Sequence, residues 1–156
     1  MFNKFIMKKT TIIEIIIVLY TILFLYTGIS KLTDYPIFKE QIATSPLLAP
    51  VAKTIAAMLP FTEFFVVLLL IIPRWRLKGF YAALTMMALF TIYIIGILLF
   101  NKELPCSCGG VLAELSWGQH IFFNSAFIVM AITGIIFQKR IQRANQQKLD
   151  YGALSV

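Results

Sequence analysis

Four long apolar runs, separated by polar segments of unequal length, organise the chain. They cover residues 10–30, 54–72, 80–100 and 117–137. A helix needs about 20 apolar residues to cross about 30 Å of hydrocarbon, and each run matches that length. None shows the alternation a strand requires. In lipid a backbone must satisfy its own hydrogen bonds, so helices are predicted. Polar interruptions are few: Glu14 in the first run, Glu63 in the second, His120 and Asn124 in the fourth. The first run is too long for the core of a secretory signal and lacks a small-x-small cleavage site, so no cleavable signal is expected. The pattern predicts an all-α fold, an integral membrane four-helix bundle, in one domain over residues 1–156.

The connections differ in character. The first, residues 31–53, is long and mixed, with Pro36, Pro46 and Pro50, and has room for a short interfacial helix around Tyr35 and Phe38. The second, residues 73–79, reads PRWRLKG and is expected to be a tight basic turn. The third, residues 101–116, carries both cysteines, and residues 138–156 form a basic tail.

Composition narrows the class. Hydrophobic residues make up 60% of the chain and charged ones 13%, where soluble domains carry about a quarter charged. With a mean hydropathy of +0.85, these values exclude a disordered chain, a coiled coil and an ordinary cytosolic enzyme. The net charge of +7 suits cytoplasmic loops better than nucleic acid, and no nucleic-acid partner is expected. Ten cations fall in the N-terminal tail, the second connection and the C-terminal tail; the other four are Lys31, Lys39, Lys53 and Lys102. The positive-inside rule then places both termini in the cytoplasm and the cysteine loop outside. The expected location is multi-pass in a bacterial inner membrane, with the loop in the periplasm, where disulfides persist.

The loop reads LPCSCGGVLAELSW, with one residue between Cys106 and Cys108. Three consecutive residues place their end Cα atoms about 5.5–7 Å apart, near the upper limit for a disulfide. Such a bridge closes a small ring, gains little as a staple, and is labile and oxidising. Pro105 sets the entry and Gly109-Gly110 turns the chain away. Three readings are open: structural cysteines, a redox pair, or thiolate ligands that with His120 would offer a Cys-Cys-His metal set. A closed zinc site wants a fourth ligand, which is not evident. After the loop, Ser116 to Gln119 reads as a capping box for the fourth helix. Trp117, His120 and Asn124 follow at i, i+3 and i+7 on one face. His120 is then either helix–helix glue or a proton carrier beside the thiols.

Glu63 follows Pro60 by three residues and is expected near mid-membrane, where an acid is costly and a functional candidate. It must be protonated or paired, and Lys31 at the end of the first helix is the cation within reach. Glu14 lies within two turns of Lys8 and Lys9 and reads as a snorkelling interfacial acid. Met86-Met87 reads as packing.

Together these segments resemble a known family. YTGISKLTDYPIFKEQI, LPFTEFF, RWRLKG, ALFTIYI, PCSCGG and SWGQHIFFN are similar to the DoxX-like, MauE-type four-helix membrane proteins, in a Bacteroidetes-like form, over roughly residues 15–137. The resemblance implies a thiol–disulfide redox role, because the MauE branch is associated with disulfide formation in a periplasmic dehydrogenase subunit. It implies a membrane quinone as cofactor, since the wider group includes quinone-linked subunits. Cys106, Cys108 and His120 are then the expected catalytic residues; Trp117, Asn124 and Glu63 the expected cofactor contacts. The expected partner is a periplasmic thioredoxin-like protein or thiol substrate. Relay enzymes of similar architecture, DsbB and vitamin K epoxide reductase, carry two cysteine pairs; this chain carries one, so an internal dithiol relay is impossible. The competing expectation is a non-catalytic subunit or assembly factor of a larger membrane complex.

Overall fold

The computed structural model describes residues 2–44, 48–100 and 117–154. Among these described residues there are five α-helices: α1 (Phe2–Thr33), α2 (Tyr35–Ala43), α3 (Ala52–Ile71), α4 (Arg76–Phe100) and α5 (Trp117–Leu154), with a 3-10 turn at Ala49–Val51. α1, α3, α4 and α5 each contain a stretch long and apolar enough to cross a membrane. The chain is therefore an all-α membrane bundle. α1 packs against α3 and α5, and α4 packs against the same two, so α1 and α4 occupy opposite corners of a ring.

Several helices outrun the apolar runs. α1 begins at Phe2 and α5 continues to Leu154. Hydropathy marks where lipid stops; it does not mark where a helix stops. Residues 138–151 contain no Gly or Pro and are rich in Gln, Lys and Arg, which are good helix formers. The expected basic tail is thus largely a helical extension.

The second connection is also shorter than predicted. Pro73 cannot continue α3, and Ile72 before it is extended at ψ 115°, as a residue preceding proline prefers. Arg76 to Gly79, expected as turn, are the first turn of α4. Gly79 is there for packing: a Cβ would stand 2.8 Å from the backbone nitrogen of Leu70. In the first connection, α2 forms with Pro36 in its first turn, where a missing N–H costs nothing. Phe38 and Ile42 bury themselves against Ala52 and Ala56 of α3.

The interior stripes run at helical spacing. On α1 they include Ile13, Ile17, Tyr20, Phe24, Thr27 and Lys31; on α5, His120, Asn124, Phe127, Ala131 and Ile135. Met87 is buried in the core, as its reading as packing expects.

Candidate functional site

Two short motifs from distant parts of the chain meet inside the bundle. Gly28 and Lys31 lie near the end of α1, and Pro60 and Glu63 lie in α3. Lys31 Nζ donates to Glu63 Oε1 at 2.6 Å, with only 5% and 1% of the two side chains exposed. Nζ also donates to the Thr27 carbonyl at 3.3 Å. Thr27 Oγ1 lies 3.2 Å from the same Glu63 oxygen. The Phe38 ring of α2 stands over Nζ, with its centroid 5.7 Å away. The pairing foreseen for Glu63 is therefore present.

The two carboxylate oxygens differ. Oε1 holds both donors, while Oε2 is buried without a hydrogen-bond partner. Gly28 makes this arrangement possible. A Cβ at that position would stand 2.6 Å from Cε1 of the Phe64 ring and 3.2 Å from Oε2. A buried ion pair is a poor source of stability, because desolvating both charges offsets most of their attraction. An acid in an apolar span therefore asks for another reason to be there.

Glu63 meets α1 close to that helix's C-terminal end. Gly28 abuts Phe64 and Glu63, and Gly28 is only about 7–8 Å of helical rise from the end of α1 at Thr33. The first turns of α3 project past that end and are covered by α2.

His120 and Asn124 reach the same end from α5, with 2% and 4% exposed. The α1–α5 register is pinned by the Tyr20 hydroxyl, which donates to the Phe127 carbonyl at 2.6 Å. The two rings also meet edge-on at 5.1 Å. Seven residues along α1 from Tyr20 is Thr27; seven back along α5 from Phe127 is His120. Each step rises about 10.5 Å in the same direction, so His120 stands level with Thr27. Trp117 opens α5 at this end.

Cys106, Cys108 and the capping Ser116 lie outside the described residues. The connection that carries them leaves α4 after Phe100 and enters α5 at Trp117, both at the end that holds Lys31 and Glu63. Among the described residues no group of three or more His, Cys, Asp or Glu comes together. Thr27 was not singled out by sequence reasoning, although it immediately precedes the G-x-x-K-L segment that carries Gly28 and Lys31.

A second ion pair lies at the opposite end. Glu14 receives Arg76 through two contacts, at 2.7 and 3.3 Å. Among the described residues its partner comes from α4, not from α1.

This architecture defines a multi-pass membrane protein with a polar interior at one end. The chain belongs to the MauE family: residues 9–137 match the model described as methylamine utilisation protein MauE. No curated protein and no solved structure matches it.

Proposed function

We propose that this chain is a thiol–disulfide redox protein of the bacterial inner membrane, acting on periplasmic thiols through Cys106 and Cys108. The observation that carries the reading is the burial of Lys31, Glu63, His120 and Asn124 at the end where the cysteine connection is attached. Thiol exchange needs proton acceptors close to the sulfurs, and the rest of the described interior is almost wholly apolar. The kinship with DoxX-like proteins suggested by the motifs fits the same role.

In the proposed step, a thiolate of a thioredoxin-like partner or substrate attacks one sulfur of the Cys106–Cys108 disulfide. The S–S bond breaks and a mixed disulfide forms. The partner's second thiolate then displaces the remaining cysteine. The partner is oxidised by two electrons, and the pair, having gained two protons, is reduced to two thiols. In this reading His120 carries protons at this end, and the Lys31–Glu63 pair holds one. When bound, a membrane quinone supplies the sink for two electrons and two protons; Trp117, Asn124 and Glu63 would hold it. The donor set fits: Glu63 Oε2 is a buried acceptor with no partner and suits a hydroxyl hydrogen, and an Asn amide can donate to a carbonyl oxygen.

Thiol trapping in intact cells tests the reading. A thioredoxin-like partner whose second, resolving cysteine is replaced by Ser should accumulate as a mixed disulfide with this chain, and Cys106→Ser or Cys108→Ser should each abolish thiol oxidation. If both Ser variants keep full activity, the chain is instead a non-catalytic subunit or assembly factor of a larger membrane complex.

A further inference from the structure

We propose that the bundle end opposite the cysteine connection binds the phosphate headgroups of anionic phospholipids through a collar of five cations. Arg74 and Lys78 flank the α3–α4 turn, and Lys139, Arg140 and Arg143 lie where α5 leaves its apolar run; all five are exposed. Their levels follow from the α4–α5 contact. The Phe80 ring fills the space beside Gly134, where a Cβ would meet its Cε1 at 2.5 Å. With the helices antiparallel, Arg76 stands level with Gln138, and the five cations fall within a band about 10 Å deep.

The charge in this band is unbalanced. Among the described residues, the acids at this end are Glu14 and Asp150. Glu14 is engaged by Arg76, and Asp150 lies about 10 Å of rise beyond Arg143. Arg76 is therefore not counted in the collar. Lys139 leans back over the Tyr81 ring at 5.4 Å, which holds it beside α4.

Position decides between lipid and an acidic protein as occupant. The band borders the apolar outer surface directly: Ile71, Tyr81, Ile132 and Ile136 are exposed on its membrane side. Trp75, 40% exposed, lies in the band itself, at the level aromatic side chains favour in a headgroup layer. Three of the five cations are arginines, whose planar forks bind phosphate through two parallel hydrogen bonds. This inference is independent of the chemistry proposed at the other end.

Spin-labelled lipids test it on the full chain reconstituted in phosphatidylcholine vesicles. Electron spin resonance of the motionally restricted fraction gives the relative association of labelled phosphatidylglycerol and labelled phosphatidylcholine. One cation near an anionic surface changes affinity by about fivefold, so the collar should favour phosphatidylglycerol by at least roughly fivefold at low salt. The preference should fall towards unity in 1 M salt and in the R74Q/K78Q/R140Q/R143Q variant. If that variant does not reconstitute, the salt series on the unaltered chain decides. Equal association of the two lipids at low salt would overturn the proposal, as would a preference insensitive to salt. Binding of polyglutamate without any lipid preference would assign the collar to an acidic protein and also overturn it.

Discussion

At the end that carries the cysteine connection, Lys31 meets Glu63 with 5% and 1% of the side chains exposed. At the other end, Arg76 meets Glu14 with 18% and 48% exposed. The closest approaches are nearly equal, 2.6 and 2.7 Å. Distance therefore says little about what either pair does. The exposed pair keeps water or headgroups around its carboxylate, so forming it costs little and gains little. The buried pair has surrendered that solvation and still leaves one oxygen without a partner. A chain that needed only stability would place apolar side chains there. The contrast favours the Glu63 end as the seat of the proposed chemistry, while the Glu14 pair fastens α1 to the start of α4.

The largest expected effect is at Lys31. Lys31→Met leaves Glu63 buried with no counter-ion and should destabilise the bundle by about 3–5 kcal/mol. Unfolding titrations in mixed micelles measure this. The K31M/E63L double variant should recover most of the loss, because it removes both charges. A single variant as stable as the parent would erase the distinction between the two ends.

Gly28→Ala should cost less, about 1–3 kcal/mol, since its methyl displaces the Phe64 ring and crowds Glu63 Oε2. The same titration reads it. Tyr20→Phe removes the hydrogen bond that pins α5 to α1 and should cost about 1 kcal/mol. Its hydroxyl serves register alone, so thiol oxidation should be unchanged. Glu14→Gln should lie within about 1 kcal/mol of the parent and become smaller still at high salt. A larger loss there would mean that the exposed pair is not the minor contact its surroundings imply.

How much of this was legible follows from what lipid does to sequence patterns. The spans could be read because hydrocarbon demands long apolar runs. Which side of each helix faces inward could not be read from hydropathy, since lipid is as apolar as the core: Phe24 is buried, while Leu25 beside it is 38% exposed. Polar and small residues are the better guide to the interior, and Thr27, Gly28, Lys31, Glu63, His120 and Asn124 all lie on it. The partner of Glu14 was missed because local spacing pointed to Lys8 and Lys9, whereas Arg76 is 62 positions away and arrives only through packing.

The rate of thiol oxidation in membrane vesicles, compared at matched abundance for the parent, Glu63→Gln and Glu14→Gln, tests the central claim most directly. Glu63→Gln keeps the shape but removes the carboxylate proposed to hold a proton beside Lys31. Positioned proton transfer contributes factors of about a hundred or more, so a loss of at least roughly tenfold is expected. Glu14→Gln should run at the parent's rate. Equal rates for all three proteins would contradict the account and leave the buried pair as a packing feature of the bundle.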